Sequence, residues 1–179
     1  MNTGTAIGTY IFGFVVVVLI GVVIRRMLRG WRNRTLRQTE LIGTMPTMPD
    51  LVGPAVFAPT CGLYVGSTIA LRWLERVTVG DLGYRSKAVL TCYPEGVLME
   101  RSGAGPIWMA RAAIAGVRAE RALAGKVIPG RPAGQDGSGG AILVIRWRLP
   151  SGTEIDTGFR GDDSRDYAQW MAQPIGEAA

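Results

Sequence analysis

Between Ala6 and Ile24 the chain reads AIGTYIFGFVVVVLIGVVI, nineteen residues without a charge. As a helix rising about 1.5 Å per residue, that run covers roughly 28 Å, close to the hydrocarbon thickness of a bilayer. The valines at 15–18 would suit a buried strand, but strands usually stop after about 5 to 6 residues. No polar face interrupts the run, as one would in a helix packed on a soluble core. A cleaved signal peptide needs a basic start and a small-x-small cleavage site. Here residues 1–5 carry no Lys or Arg, and Arg25 and Arg26 follow Ile24 at once. A transmembrane helix over residues 6–24 is the expectation.

Charge is distributed around that run in a way that sets its orientation. The formal net charge is +6. Of 20 Lys and Arg, six arginines (Arg25, Arg26, Arg29, Arg32, Arg34 and Arg37) stand directly after the run with no acid among them. The other 14 all lie beyond Arg37, where 14 Asp and Glu match them. Positive residues within about 15 to 20 residues of a span stay cytoplasmic. The expectation is a single-pass plasma-membrane protein with residues 1–5 outside and everything after the span inside. The same arginines suit anionic head groups, and Trp31 suits the interface. The lipid bilayer is thus one expected partner. The balanced remainder argues against nucleic acid, which needs a basic face.

The chain has no histidine, which removes the commonest metal ligand and general base, and with them Ser-His and Cys-His nucleophiles. Cys61 and Cys92 are the only cysteines; without paired spacing, they read as reduced and structural in a cytoplasmic domain. The stretch GRPAGQDGSGG at 130–140 is glycine-rich but lacks a GK[ST] ending and a preceding apolar strand. It reads as a mobile hairpin loop rather than a phosphate loop. Asp162, Asp163 and Asp166 fit a helix cap better than a metal, since no further oxygen ligands sit at loop spacing. No catalytic residue, metal site or cofactor is expected.

Residues 25–50 form a basic juxtamembrane segment, with helix extending over 27–41, and a linker broken by Pro46 and Pro49. A domain over 51–174 and a tail over 175–179 follow. Short apolar runs punctuated by Gly and Pro predict strands at 62–69, 84–93, 97–101, 106–110, 113–121, 141–149 and 153–159. In the second, Ala88, Leu90 and Cys92 share one face against Arg85 and Lys87. In the last two, Leu143, Ile145, Trp147, Ile155, Thr157 and Phe159 face one way, and Arg146, Arg148, Glu154 and Asp156 the other. Between the first two strands, Trp73 and Leu74 are expected to pack inward. After Asp162 and Asp163, the residues Tyr167, Trp170 and Met171 give a short helix one apolar stripe.

About seven strands followed by one helix is the order of pleckstrin-homology-like (PH-like) barrels. The chain resembles an actinobacterial family of single-span proteins with a cytoplasmic bacterial PH-like domain, often loosely labelled transporter or export proteins. The resemblance rests on RVTVGDLGYRSKAVLTCYPEGVLMER (76–101), GPIWMARAAIAGVRAERALAGKV (105–127) and LVIRWRLPSGTEIDTGFR (143–160). It implies an N-terminal transmembrane helix plus a mainly-β PH-like barrel of about seven strands with a C-terminal capping helix. A transporter label fits poorly, because one helix encloses no path and this one carries no intramembrane charge.

Phosphoinositide-binding PH domains cluster Lys and Arg around the loop between their first two strands. Here Arg72 and Arg76, then Arg85 and Lys87, are diluted by Glu75 and Asp81. Arg85 and Lys87 are candidates for a ligand or partner surface, although a solvated strand face explains them better. The function expected is a non-catalytic, membrane-tethered adaptor that presents or recruits another protein at the inner face of the membrane. An accessory subunit of a larger membrane complex and a direct anionic-lipid binder remain alternatives.

Overall fold

The computed structural model describes residues 3–72, 74–127 and 141–172, with the side chains of 3–11, 31–37, 126 and 164 outside the description. The chain divides into two compact units, Met1–Arg37 and Gln38–Ala179. The first is the greater part of α1 (Thr3–Ile42). The run expected to span the membrane is helical at every described position, and its apolar side chains from Phe12 to Ile24 are exposed. Among the described residues, no helix is long and apolar enough to cross a membrane.

The second unit is built on a seven-stranded, wholly antiparallel sheet of order β4-β3-β2-β1-β9-β8-β5. Its strands are β1 (Thr60–Ile69), β2 (Ser86–Tyr93), β3 (Gly96–Arg101), β4 (Ile107–Ala110), β5 (Ile114–Glu120), β8 (Ile142–Arg148) and β9 (Glu154–Gly161). A two-residue pair, β6 (Ala122–Leu123) and β7 (Lys126–Val127), forms a separate ribbon. The short helix α2 (Tyr167–Met171) closes the described chain. The expected seven strands and terminal helix are all present, and the 130–140 loop lies outside the described residues.

β1 belongs to both halves of the sheet. Its first half, Thr60–Tyr64, pairs with Leu90–Ser86 of β2, while residues 62–69 pair with Gly161–Ile155 of β9. The register shifts between Tyr64 and Gly66, where Gly66 adopts φ +143°. Gly62 marks the closest approach, since a Cβ there would meet the Arg160 carbonyl and the Phe159 ring. Alternation then sorts the faces as expected. Leu90, Met99, Ile145, Trp147, Ile155 and Phe159 point inward and are fully buried. β3 is buried over most of its length, so the question of which of its faces is apolar has no simple answer.

A directed hydrogen-bond chain crosses this core. Tyr64 Oη donates to the Leu82 carbonyl at 2.8 Å, so its single proton is committed and it accepts from Ser67 Oγ at 3.0 Å. Ser67 therefore accepts from Thr157 Oγ1 at 3.1 Å, and Thr157 accepts from Trp147 Nε1 at 2.9 Å. Every buried polar side chain in the series is thereby paired, as a dry interior requires.

Four expectations change. The β domain begins ahead of Leu51: Ile42 lies in the core at 2% exposure, and Gln38, also buried, accepts from Thr78 N and Oγ1 and donates to Arg76 O. The Leu41 carbonyl, unpaired at a helix end, accepts from Ser151 Oγ and Thr153 Oγ1. Leu74 is 67% exposed rather than packed inward, because it sits in a tight turn closed by Arg72 and Glu75; Trp73 lies outside the described residues. Met171 points to solvent, since five residues of α2 bury only Tyr167 and Trp170. Asp163 does not cap α2; it accepts from Arg165 N at 2.9 Å in the preceding 3-10 turn (Ser164–Asp166).

Candidate functional site

Where β1 lies between β2 and β9, the outer face of the sheet sinks into an open trough of about 770 Å³. Two rows of side chains follow from the strand register. Lys87 pairs with Leu63, and Leu63 with Arg160, giving a row of cation, leucine and cation. One step along the strands, Glu100 pairs with Val89 and Val89 with Cys61. Asp162 completes that row by donating its backbone N–H to the Cys61 carbonyl at 3.0 Å. Lys87, Arg160, Glu100, Asp162 and Cys61 are exposed, while Leu63 and Val89 form a half-buried floor.

Arg101, which also lines the trough, is buried and paired with Asp81, but the four exposed charges there, Lys87, Arg160, Glu100 and Asp162, share a property. Among the described residues, none of these four takes part in an ion pair, although seven ion pairs occur among other residues of the domain. Two of those show what a structural charge looks like here. Arg101, its side chain 1% exposed, spans from Asp81 Oδ1 (2.7 Å) to the Asp81 and Gly105 carbonyls and lies 4.9 Å from the Tyr64 ring centroid. Partial burial pushes the Asp81 carboxyl up, but hydrogen bonds from Arg101 and the Gly105 N–H outweigh it and leave the group below the usual range.

Asp156 is the second, and it corrects an expectation. Alternation places it outward, yet it is only 4% exposed, because Arg146 and Arg118 cover it. Arg146 donates Nε to Oδ1 at 2.8 Å and an NH2 group to Oδ2 at 2.9 Å, while Arg118 reaches the same oxygens at 3.3 and 2.8 Å. Burial raises this carboxyl, and the two guanidinium groups more than reverse that, holding it below the ordinary carboxylate range. Glu154 pairs with Arg148 at 2.8 Å. Both of these acids are therefore engaged by arginine.

Of the residues singled out from sequence, Lys87 lines the trough and Arg85, also exposed, stands outside it. Arg25, Arg26 and Arg29 are exposed on α1, and the side chains of Trp31, Arg32, Arg34 and Arg37 lie outside the described residues. Arg160 and Glu100 were missed, because only the pairing of β1 with β9 and of β2 with β3 brings them beside Lys87. Cys61 is a free, exposed thiol; Cys92 is buried, and burial raises its pKa. Among the described residues, no group of three His, Cys, Asp or Glu stands close enough to hold a metal.

A family described as Bacterial PH domain-like matches residues 42–174. No curated protein and no solved structure matches the chain. The matched range begins at Ile42, the residue with which α1 enters the β core, and takes in the nine strands and α2 of the described residues. With an antiparallel seven-stranded sheet and a terminal helix behind it, the chain belongs to the bacterial PH domain-like family.

Proposed function

We propose that the protein is a non-catalytic binding module tethered to the plasma membrane. Residues 6–24 form its single span, the N-terminus lies outside, and the PH-like domain works in the cytoplasm on a partner protein. PH-like domains are generally non-catalytic and commonly bind lipids or proteins. The observation that carries the tether is the described part of the run. From Phe12 (70% exposed) through Val17 (67%) to Ile24 (51%), an uncharged helix leaves apolar side chains uncovered around its whole circumference. Water does not support such a surface, and hydrocarbon does. Arg25–Arg37 then stand at the inner leaflet, where each cation near anionic lipid contributes about 1 kcal/mol.

A cytoplasm-only reporter fused after Ala179 is expected to be active, and the protein to stay with membranes after carbonate washing. Activity from a periplasm-only reporter, or release by carbonate, overturns the tether. Replacing the six arginines by glutamine is expected to weaken contact with anionic lipid and to flatten its dependence on salt. Turnover of a metabolite by the purified chain, abolished by one carboxylate substitution, overturns the non-catalytic reading.

A further inference from the structure

In the trough, exposed charges of both signs converge on an apolar floor, and none of these exposed charges is paired. Its two long rims differ in sign. Lys87 and Arg160 stand on one, about 10 Å apart across β1, since neighbouring strands lie about 4.8 Å apart. Glu100 and Asp162 stand on the other, about 14 Å apart across β2 and β1. The rims are separated by one two-residue step along a strand, about 7 Å. Such a site gains little from a simple anion, because two carboxylates face the two cations across that gap, and little from a simple cation for the same reason.

An extended peptide lying along the trough matches this layout. Successive side chains of an extended chain point to opposite sides. Odd positions then reach one rim and even positions the other, with the backbone over Leu63 and Val89. A length of about 14 Å accommodates about four residues at 3.3 to 3.6 Å each. We propose that the trough receives an extended segment of the partner protein whose side chains alternate in charge, acids toward Lys87 and Arg160 and bases toward Glu100 and Asp162. This rests on the binding-module reading and specifies the chemistry of its partner.

The test uses the full chain in uncharged detergent micelles and two fluorescent hexapeptides of identical composition. One alternates glutamate and lysine; the other has three glutamates followed by three lysines. The alternating peptide is expected to bind about ten-fold more tightly, because the blocked one sends charges of both signs to each rim, where some meet a like charge. Lys87→Glu with Arg160→Glu, all surface positions, is expected to abolish that preference with the melting temperature unchanged. Equal binding of the two peptides, binding of neither, or a preference that survives the double substitution overturns the proposal. So does inorganic phosphate displacing the alternating peptide at millimolar concentration, which would make the cationic rim an anion site. Micelles report on the trough whether or not the chain spans a membrane. A failed reporter assay with intact peptide preference therefore sinks the tether alone, and the reverse result sinks this inference alone.

Discussion

Removing the end of α1 from the β domain should unfold much of what makes that domain stable. Ile42 is 2% exposed and packs in the same core as Trp147 and Trp170. Truncating a buried isoleucine to alanine costs about 2 to 5 kcal/mol. The polar contacts of Gln38 and Leu41 add less, because Thr78, Ser151 and the Leu41 carbonyl sit where water can replace the lost partner. Two shortened forms separate the terms, one beginning at Gln38 and one at Leu51. Against a typical total of about 5 to 15 kcal/mol, the form beginning at Leu51 is expected to be about 4 kcal/mol less stable. Ile42→Ala in the full chain should reproduce most of that loss. Leu41→Ala, at a position 45% exposed, should stay within about 0.5 kcal/mol. Urea unfolding followed by tryptophan fluorescence reads all four. Equal midpoints for the two shortened forms would refute the claim that the fold begins at the helix end.

Two further outcomes follow from the polar groups. Thr157→Val keeps the shape but strands the Trp147 indole N–H in a dry core and deprives Ser67 of its donor; the expected loss is about 1 to 3 kcal/mol, and unchanged stability would refute the directed chain. For Asp156, the folded-state pKa lies below the unfolded value, so its stabilisation is present above the ordinary carboxylate range and fades as pH falls through the depressed value. Asp156→Asn is expected to cost about 3 kcal/mol at neutral pH, by leaving Arg118 and Arg146 without their anion. The gap to the unsubstituted chain should narrow below pH 3.8 in acid titrations of the urea midpoint.

The parts legible in the sequence are those fixed by short-range alternation. β8 and β9 follow the pattern of Leu143, Ile145 and Trp147 against Ile155, Thr157 and Phe159 residue for residue. What escaped depends on contacts distant in the chain. Asp156 was assigned to the correct face, but its carboxylate is not wet there, because Arg118 arrives from a strand 38 residues away. Ile42 was hidden by its position between a basic helix and two prolines, where a linker is the natural reading. The trough needed the register of three strand pairs at once, and neither Arg160 nor Glu100 carries a local signal that it stands near Lys87.

The double membership of β1 bears on how the chain is made. Its second half is bridged on one edge by the segment around Arg76, but its other edge has only β9 to pair with, and Gly62 must wait for Gly161. Pairings of such long sequence separation are slow to form, and domains fold as units while synthesis proceeds from the N-terminus at about 5 to 20 residues per second. The helix and the first four strands therefore leave the ribosome several seconds before the strand that closes the sheet. Through that interval β1 presents an open edge, and whatever holds the nascent N-terminal segment apart from its neighbours on the same polysome also protects that edge from pairing with another chain.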